Sequence, residues 1–146
     1  MFATPPKWIK ITITLAYGLF LTKLLLSSTP WVDVGGPQIT AVVPAVPTPD
    51  THSEVQSLFM HILAYGGWAI LGAWCLVAAP LSSLWPTALG MIVHGGLAEV
   101  GQHYLAANRW MSIGDFLGNV LGIFIGFAVF HLYTKLTVSS AVRTAA

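Results

Sequence analysis

The chain has 146 residues, of which 55% are hydrophobic and 8% are charged, and its mean hydropathy is +0.76. Because about 25% of the residues in an ordinary soluble domain are charged, this composition excludes a typical soluble protein and indicates one membrane domain over residues 1–146. The net charge of +1 comes without a basic stripe, so nucleic acid is not expected as a partner.

The first apolar run covers residues 8–28 and predicts a membrane-spanning helix, since about 20 helical residues cross a hydrocarbon core. A cleaved signal peptide is the alternative interpretation. The length of the run, the presence of Lys23 within it and the lack of a clear small-residue cleavage site favour a helix that is retained.

Residues 29–55 are rich in proline and contain acidic residues but no lysine or arginine. Proline removes the backbone donors that a helix needs, so the sequence predicts an extended loop. A semi-rigid spacer is favoured over a binding loop.

Three further helices are predicted over residues 56–79, 85–106 and 112–134. Pro86 lies in the first turn of the second of these, where a missing N–H does no harm. The connections between them are short, so consecutive helices must be antiparallel neighbours. The predicted fold is an all-α, four-helix transmembrane bundle.

The basic residues predict the orientation of the bundle, because they collect on the cytoplasmic side of a membrane. With four spans, one side holds Lys7, Lys10, Lys135 and Arg143, and the other holds Arg109 and the acidic loop. Both termini are therefore expected in the cytoplasm and the proline-rich loop outside.

Polar residues far apart in the sequence are expected to converge near the outer leaflet. Polar groups are expensive in hydrocarbon and usually face a partner or a cavity, so these residues form a candidate binding site: His61, Tyr65, Glu99, Gln102, Arg109, Asp115 and Asn119. The spacing agrees, since Glu99 and Gln102 share one face of their helix.

A glycine recurs at every fourth residue of the last helix, at Gly114, Gly118, Gly122 and Gly126. Small residues at this interval let helices in lipid approach closely. A packing surface is the favoured interpretation of this row.

Residues 57–126 resemble the VanZ-like family of small bacterial membrane proteins. The resemblance lies in a His-x-x-x-Tyr helix, then Glu-x-x-Gln, a loop arginine and Asp-x-x-x-Asn-x-x-Gly-x-x-x-Gly, which are here His61, Tyr65, Glu99, Gln102, Arg109, Asp115, Asn119, Gly122 and Gly126. It implies a four-helix bundle in the inner membrane and a link with low-level glycopeptide resistance in some bacteria, but no agreed activity. One departure is Ser57-Leu58, where the family often has an Asp-Lys pair.

The charged residues have more than one interpretation. Glu99, Arg109 and Asp115 form either a structural ion-pair cluster or a ligand site, with proton or ion movement as a further possibility. Arg109 would hold a phosphate or carboxylate through its guanidinium fork. Acid-base catalysis lacks a nucleophile motif, a phosphate loop and a strong metal set, so a non-enzymatic protein without a cofactor is expected.

His94 is a weak candidate for a metal ligand. The residues Gly90 to His94 have the small-x-x-x-His spacing that occurs where an intramembrane histidine binds haem or chlorophyll, but this spacing is common. A histidine that is hydrogen-bonded within the bundle is favoured.

Three functions remain as hypotheses. The first is a polar site that engages an amphiphilic or lipid-linked envelope molecule, in a protein whose surroundings are the lipid bilayer. The second is an accessory subunit that docks in a larger membrane complex through the glycine row and the outer loop. A homo-oligomer is a separate possible assembly, and it would count against this second hypothesis. The third is a haem or pigment carrier that uses His94.

Overall fold

The computed structural model describes residues 5–26, 51–77, 81–105 and 111–145. These residues form four α-helices, α1 (Lys7–Leu25), α2 (Thr51–Cys75), α3 (Leu84–Leu105) and α4 (Ile113–Ala145), with a 3-10 turn over Leu81–Ser83. The predicted all-α class is therefore confirmed. Most of the proline-rich segment and the loop that contains Arg109 lie outside the described residues.

Three of the four helices are long and apolar enough to cross a membrane, over Lys7–Leu25, Glu54–Cys75 and Ile113–Thr137. α3 has 22 residues, and its polar side chains include Glu99 and Gln102. These lower its mean hydropathy, and both are buried inside the bundle.

Two predicted helix boundaries on α2 are wrong. The helix begins at Thr51, inside the predicted loop, and ends at Cys75 instead of residue 79. The last proline of the proline-rich segment is Pro49. No proline therefore interrupts hydrogen bonding from Thr51 onward, and the helix begins before Val55, the first apolar residue of the run. At its end, the N–H of Leu76 donates to the carbonyl of Ala73 at 3.0 Å, a tightened turn that is common at helix ends.

α4 also differs from the prediction, because it continues to Ala145 instead of ending at residue 134. Its 33 residues give a length of about 50 Å, at 1.5 Å per residue. The length of the apolar run limits how much of a helix fits in hydrocarbon, but it does not determine where the helix ends. No glycine or proline follows Gly126 to end this helix earlier.

The outer surface of the bundle is apolar on every helix. Large side chains that are more than half exposed include Leu19, Phe59, Leu89, Leu117 and Leu132. A soluble monomer rarely exposes so much contiguous apolar surface. Lipid is the solvent that suits this exterior.

Contacts between named residues show how the helices run. Thr14 of α1 lies beside Cys75 of α2, and Tyr17 lies beside Ala64, so these helices are antiparallel. α3 runs antiparallel to α2 and α4, which leaves α2 parallel to α4. The start of α1 and the end of α4 therefore lie at one end of the bundle.

The tightest contact joins α2 to α4 through glycines. A Cβ atom on Gly122 would overlap the carbonyl oxygen of Ile62, and one on Gly126 would overlap the carbonyl oxygen of Gly66. One on Gly118 would lie 3.1 Å from the carbonyl oxygen of Leu58. Gly114 is different, since its nearest neighbour would be Ser112 Oγ at 3.4 Å. Three of the four predicted glycines thus pack on α2.

Substituting Gly122 by alanine should destabilise the bundle, because the added methyl group meets backbone, which cannot rotate away. We expect a loss of about 1–3 kcal/mol, as for other overpacked sites, measured as a lower unfolding temperature in detergent. Gly90→Ala is the matched control, since a Cβ there meets nothing within 4 Å. Equal unfolding temperatures for the two variants would contradict this account of the helix pair.

Candidate functional site

Four polar side chains from three helices meet inside the bundle, and we call them the polar cluster: His61 of α2, Glu99 of α3, and Asp115 and Asn119 of α4. The side chains of His61 and Glu99 are 5% and 2% exposed, Asn119 is fully buried, and Asp115 is 17% exposed. The cluster lies at the end of the bundle where α4 begins, opposite the start of α1.

The hydrogen bonding of His61 fixes its tautomer. Its Nδ1 lies 2.7 Å from Oδ1 of Asn119. An amide oxygen only accepts hydrogen bonds, so Nδ1 carries the hydrogen and donates it. In the neutral ring, Nε2 then keeps its lone pair, and it lies 3.7 Å from Oδ2 of Asp115.

Glu99 is tied to the start of α4 through Ser112. The backbone N–H of Ser112 donates to Oε2 of Glu99 at 3.3 Å. The hydroxyl of Ser112 accepts from the backbone N–H of Asp115 at 3.2 Å, which is the usual role of serine as a helix N-cap. The cap thus places both carboxylates beside His61, where Oε1 of Glu99 is 3.8 Å from Nδ1.

Glycines make room for the cluster. A Cβ on Gly118 would lie 3.2 Å from Cβ of His61, and one on Gly95 would lie 3.1 Å from Nδ2 of Asn119. Both values are tighter than ordinary van der Waals contact. The helices therefore approach closely enough for His61 and Asn119 to meet because these two positions carry no side chain.

Two buried side-chain amides have N–H groups that can still donate a hydrogen bond. Nδ2 of Asn119 and Nε2 of Gln102 are both buried and have no hydrogen-bond acceptor among the described residues. A buried donor without an acceptor costs about 1–3 kcal/mol. Amide donors of this kind suit a ligand that brings oxygen atoms.

Tyr65 belongs to a second set of contacts, one helical turn deeper. The hydroxyl of Thr22 donates to the carbonyl of Gly18 at 2.9 Å, so its oxygen accepts from Nε2 of His94 at 2.8 Å. Nδ1 of His94 then accepts from the hydroxyl of Tyr65 at 2.9 Å. Trp68 completes the set by packing its ring against the imidazole of His94, with the two ring centroids 4.9 Å apart.

Both nitrogens of His94 therefore have hydrogen-bond partners. A histidine that binds haem or a pigment metal would have to give up the bond at Nδ1 or Nε2. The arrangement ties α1, α2 and α3 together, through Thr22, Tyr65 and His94.

The structure groups the predicted site residues unevenly. It brings His61, Glu99, Asp115 and Asn119 together and buries Gln102. Tyr65 contacts His94 instead, and His103, which follows Gln102, is exposed. Arg109 lies outside the described residues.

Sequence spacing did not reveal that three side chains of metal-ligating type come together in the bundle. Within the described residues, His61, Glu99 and Asp115 form the one group of three that could hold a metal ion, with donor atoms within 4.8 Å of one another. Each comes from a different helix, so no local spacing encodes the set. The signal available in the sequence was the expected convergence of these residues at one depth.

The chain matches no family model, no curated protein and no solved structure. The VanZ-like resemblance therefore stays a prediction from the motifs.

Removing the hydroxyl of Tyr65 should destabilise the bundle, because His94 Nδ1 then loses its donor in a partly buried setting. We expect Tyr65→Phe to cost about 1–3 kcal/mol, measured as a lower unfolding temperature in detergent. Tyr104→Phe is the matched control, since Tyr104 is 77% exposed. If both variants unfold at the wild-type temperature, the bond to His94 contributes nothing to stability.

Proposed function

We propose that this chain is a non-enzymatic, VanZ-like protein of the bacterial inner membrane. Its polar cluster engages the headgroup of an amphiphilic or lipid-linked envelope molecule at the outer leaflet. The observation that carries the proposal is the convergence of His61, Glu99, Asp115 and Asn119 at one end of a bundle whose exterior is apolar.

The position of the cluster supports a ligand that comes from the membrane surface. Asp115 is the third residue of α4 and the most exposed member of the cluster, so it lies nearest to the headgroup region. Buried polar groups are expensive within a membrane and commonly mark a site of function. A headgroup that reached Asp115 would meet the amide donors and carboxylates behind it, while its chains stayed in lipid.

The distribution of charge supports the orientation. Lys7 and Lys10 at the start of α1, and Lys135 near the end of α4, share the end of the bundle opposite the cluster. Lysine accumulates on the cytoplasmic side, which leaves the cluster on the outer side. Lys10 also lies 5.2 Å from the ring centroid of Trp74, and tryptophan is common at membrane interfaces.

The test is purification in mild detergent, followed by mass analysis of the lipids and proteins that remain bound. We expect one class of anionic or lipid-linked molecule with the wild-type protein, and a strong reduction for Asp115→Asn, because the variant removes the cluster's accessible charge. Glu54→Gln is the matched control, since Glu54 is an exposed carboxylate on α2 outside the cluster.

Each result has a clear meaning. The same lipid profile from wild type, Asp115→Asn and Glu54→Gln would contradict the proposal. A stoichiometric protein partner that stays bound to every variant would instead favour an accessory subunit of a larger membrane complex.

A further inference from the structure

We propose that the polar cluster is a binding site for a divalent metal ion, held by the imidazole of His61 and the carboxylates of Glu99 and Asp115. In one respect this inference rests on the proposed function, because the metal ion would be the group in the cluster that contacts an anionic headgroup. It stands on side chains from three helices whose donor atoms lie within 4.8 Å of one another.

The first argument is the direction of the lone pair on His61. Nδ1–H is engaged by Asn119 at 2.7 Å, so the lone pair of Nε2 faces Oδ2 of Asp115. Two atoms that both offer electron pairs repel each other unless a proton or a metal ion lies between them. A histidine that binds a metal commonly donates its other N–H to an oxygen acceptor, which fixes the tautomer and the ring orientation.

The second argument is distance. A protonated imidazole would donate to Asp115 at about 2.7–3.0 Å, whereas the observed separation is 3.7 Å. Two donors that share an ion at about 2.1 Å, with an angle of 90–120° between their bonds, lie about 3.0–3.6 Å apart. The spacing between His61 and Asp115 is therefore long for a hydrogen bond and close to that of two ligands of one ion.

The third argument is the chemistry of the donor atoms. One imidazole and two carboxylates make a donor set that suits Zn²⁺ or Mn²⁺. Three protein ligands leave coordination positions open.

The side of the ion that faces Asp115 is the most exposed part of the cluster. An oxygen atom of a phosphate or carboxylate headgroup could complete the coordination there. The amide of Asn119 lies beside the ion and has a free hydrogen on Nδ2 to donate to the same headgroup.

The experiment measures metal binding to the whole chain, which is produced without a polyhistidine tag. The protein is purified in detergent, treated with EDTA and dialysed against ZnCl₂ or MnCl₂, and the bound metal is measured by elemental analysis. We expect about one ion per chain for the wild type, from the single donor set described.

Two variants remove ligands, and a third is the control. His61→Gln and Asp115→Asn should lower the affinity by at least about tenfold. His131→Gln should bind as the wild type does, because His131 is exposed on α4 and lies at the opposite end of the bundle. Gel filtration and unfolding temperature establish that each variant is folded. Asp115→Asn decides the matter if His61→Gln does not fold, because Asp115 is the most exposed ligand.

The proposal is overturned if wild type binds no more ion than the folded ligand variants, or if His131→Gln loses binding equally. Lipid content is measured with and without EDTA treatment, which separates the two proposals. Lipid that remains bound to a chain that takes up no ion overturns the metal site and leaves the proposed function standing. An ion that binds at His61 and Asp115 without any retained lipid supports the metal site and contradicts the proposed function.

Discussion

The close approach of α2 and α4 is the contact on which the rest of the structure depends. Gly118, Gly122 and Gly126 place the backbone of α4 against the carbonyl oxygens of α2, where a side chain would not fit. In lipid, helices gain little from burying apolar surface, so close van der Waals packing must hold them together. The same contact sets the distance between His61 and Asn119, which is why the glycine row and the polar cluster belong to one arrangement.

The polar groups of the bundle are divided between two tasks. His94 joins α1 to α2 by accepting from Tyr65 and donating to Thr22, so its hydrogen-bonding capacity is used within the protein. His61 has one nitrogen engaged by Asn119 and the other directed at a carboxylate 3.7 Å away. One histidine thus bonds within the protein through both ring nitrogens, while the other bonds Asn119 through Nδ1 and lies beside two carboxylates. The difference follows from the neighbours of each ring.

Much of the fold follows from the sequence. Runs of apolar residues predicted four helices, and the described residues form four, with α3 over Leu84–Leu105 against a prediction of residues 85–106. Helix ends were less predictable, because hydropathy describes how much of a helix fits in lipid and not where hydrogen bonding stops. The extension of α4 to Ala145 and the early start of α2 at Thr51 have this cause.

The sequence by itself determined that the chain is helical and apolar and that Gly118, Gly122 and Gly126 favour close packing. These properties depend on local composition and on helical periodicity. Only the tertiary structure decided that α2 is the partner of the glycines, that Tyr65 bonds to His94, and that His61 lies between two carboxylates. Those choices depend on how each helix is rotated about its axis, which is set by packing against the other helices and not by the spacing within any one of them.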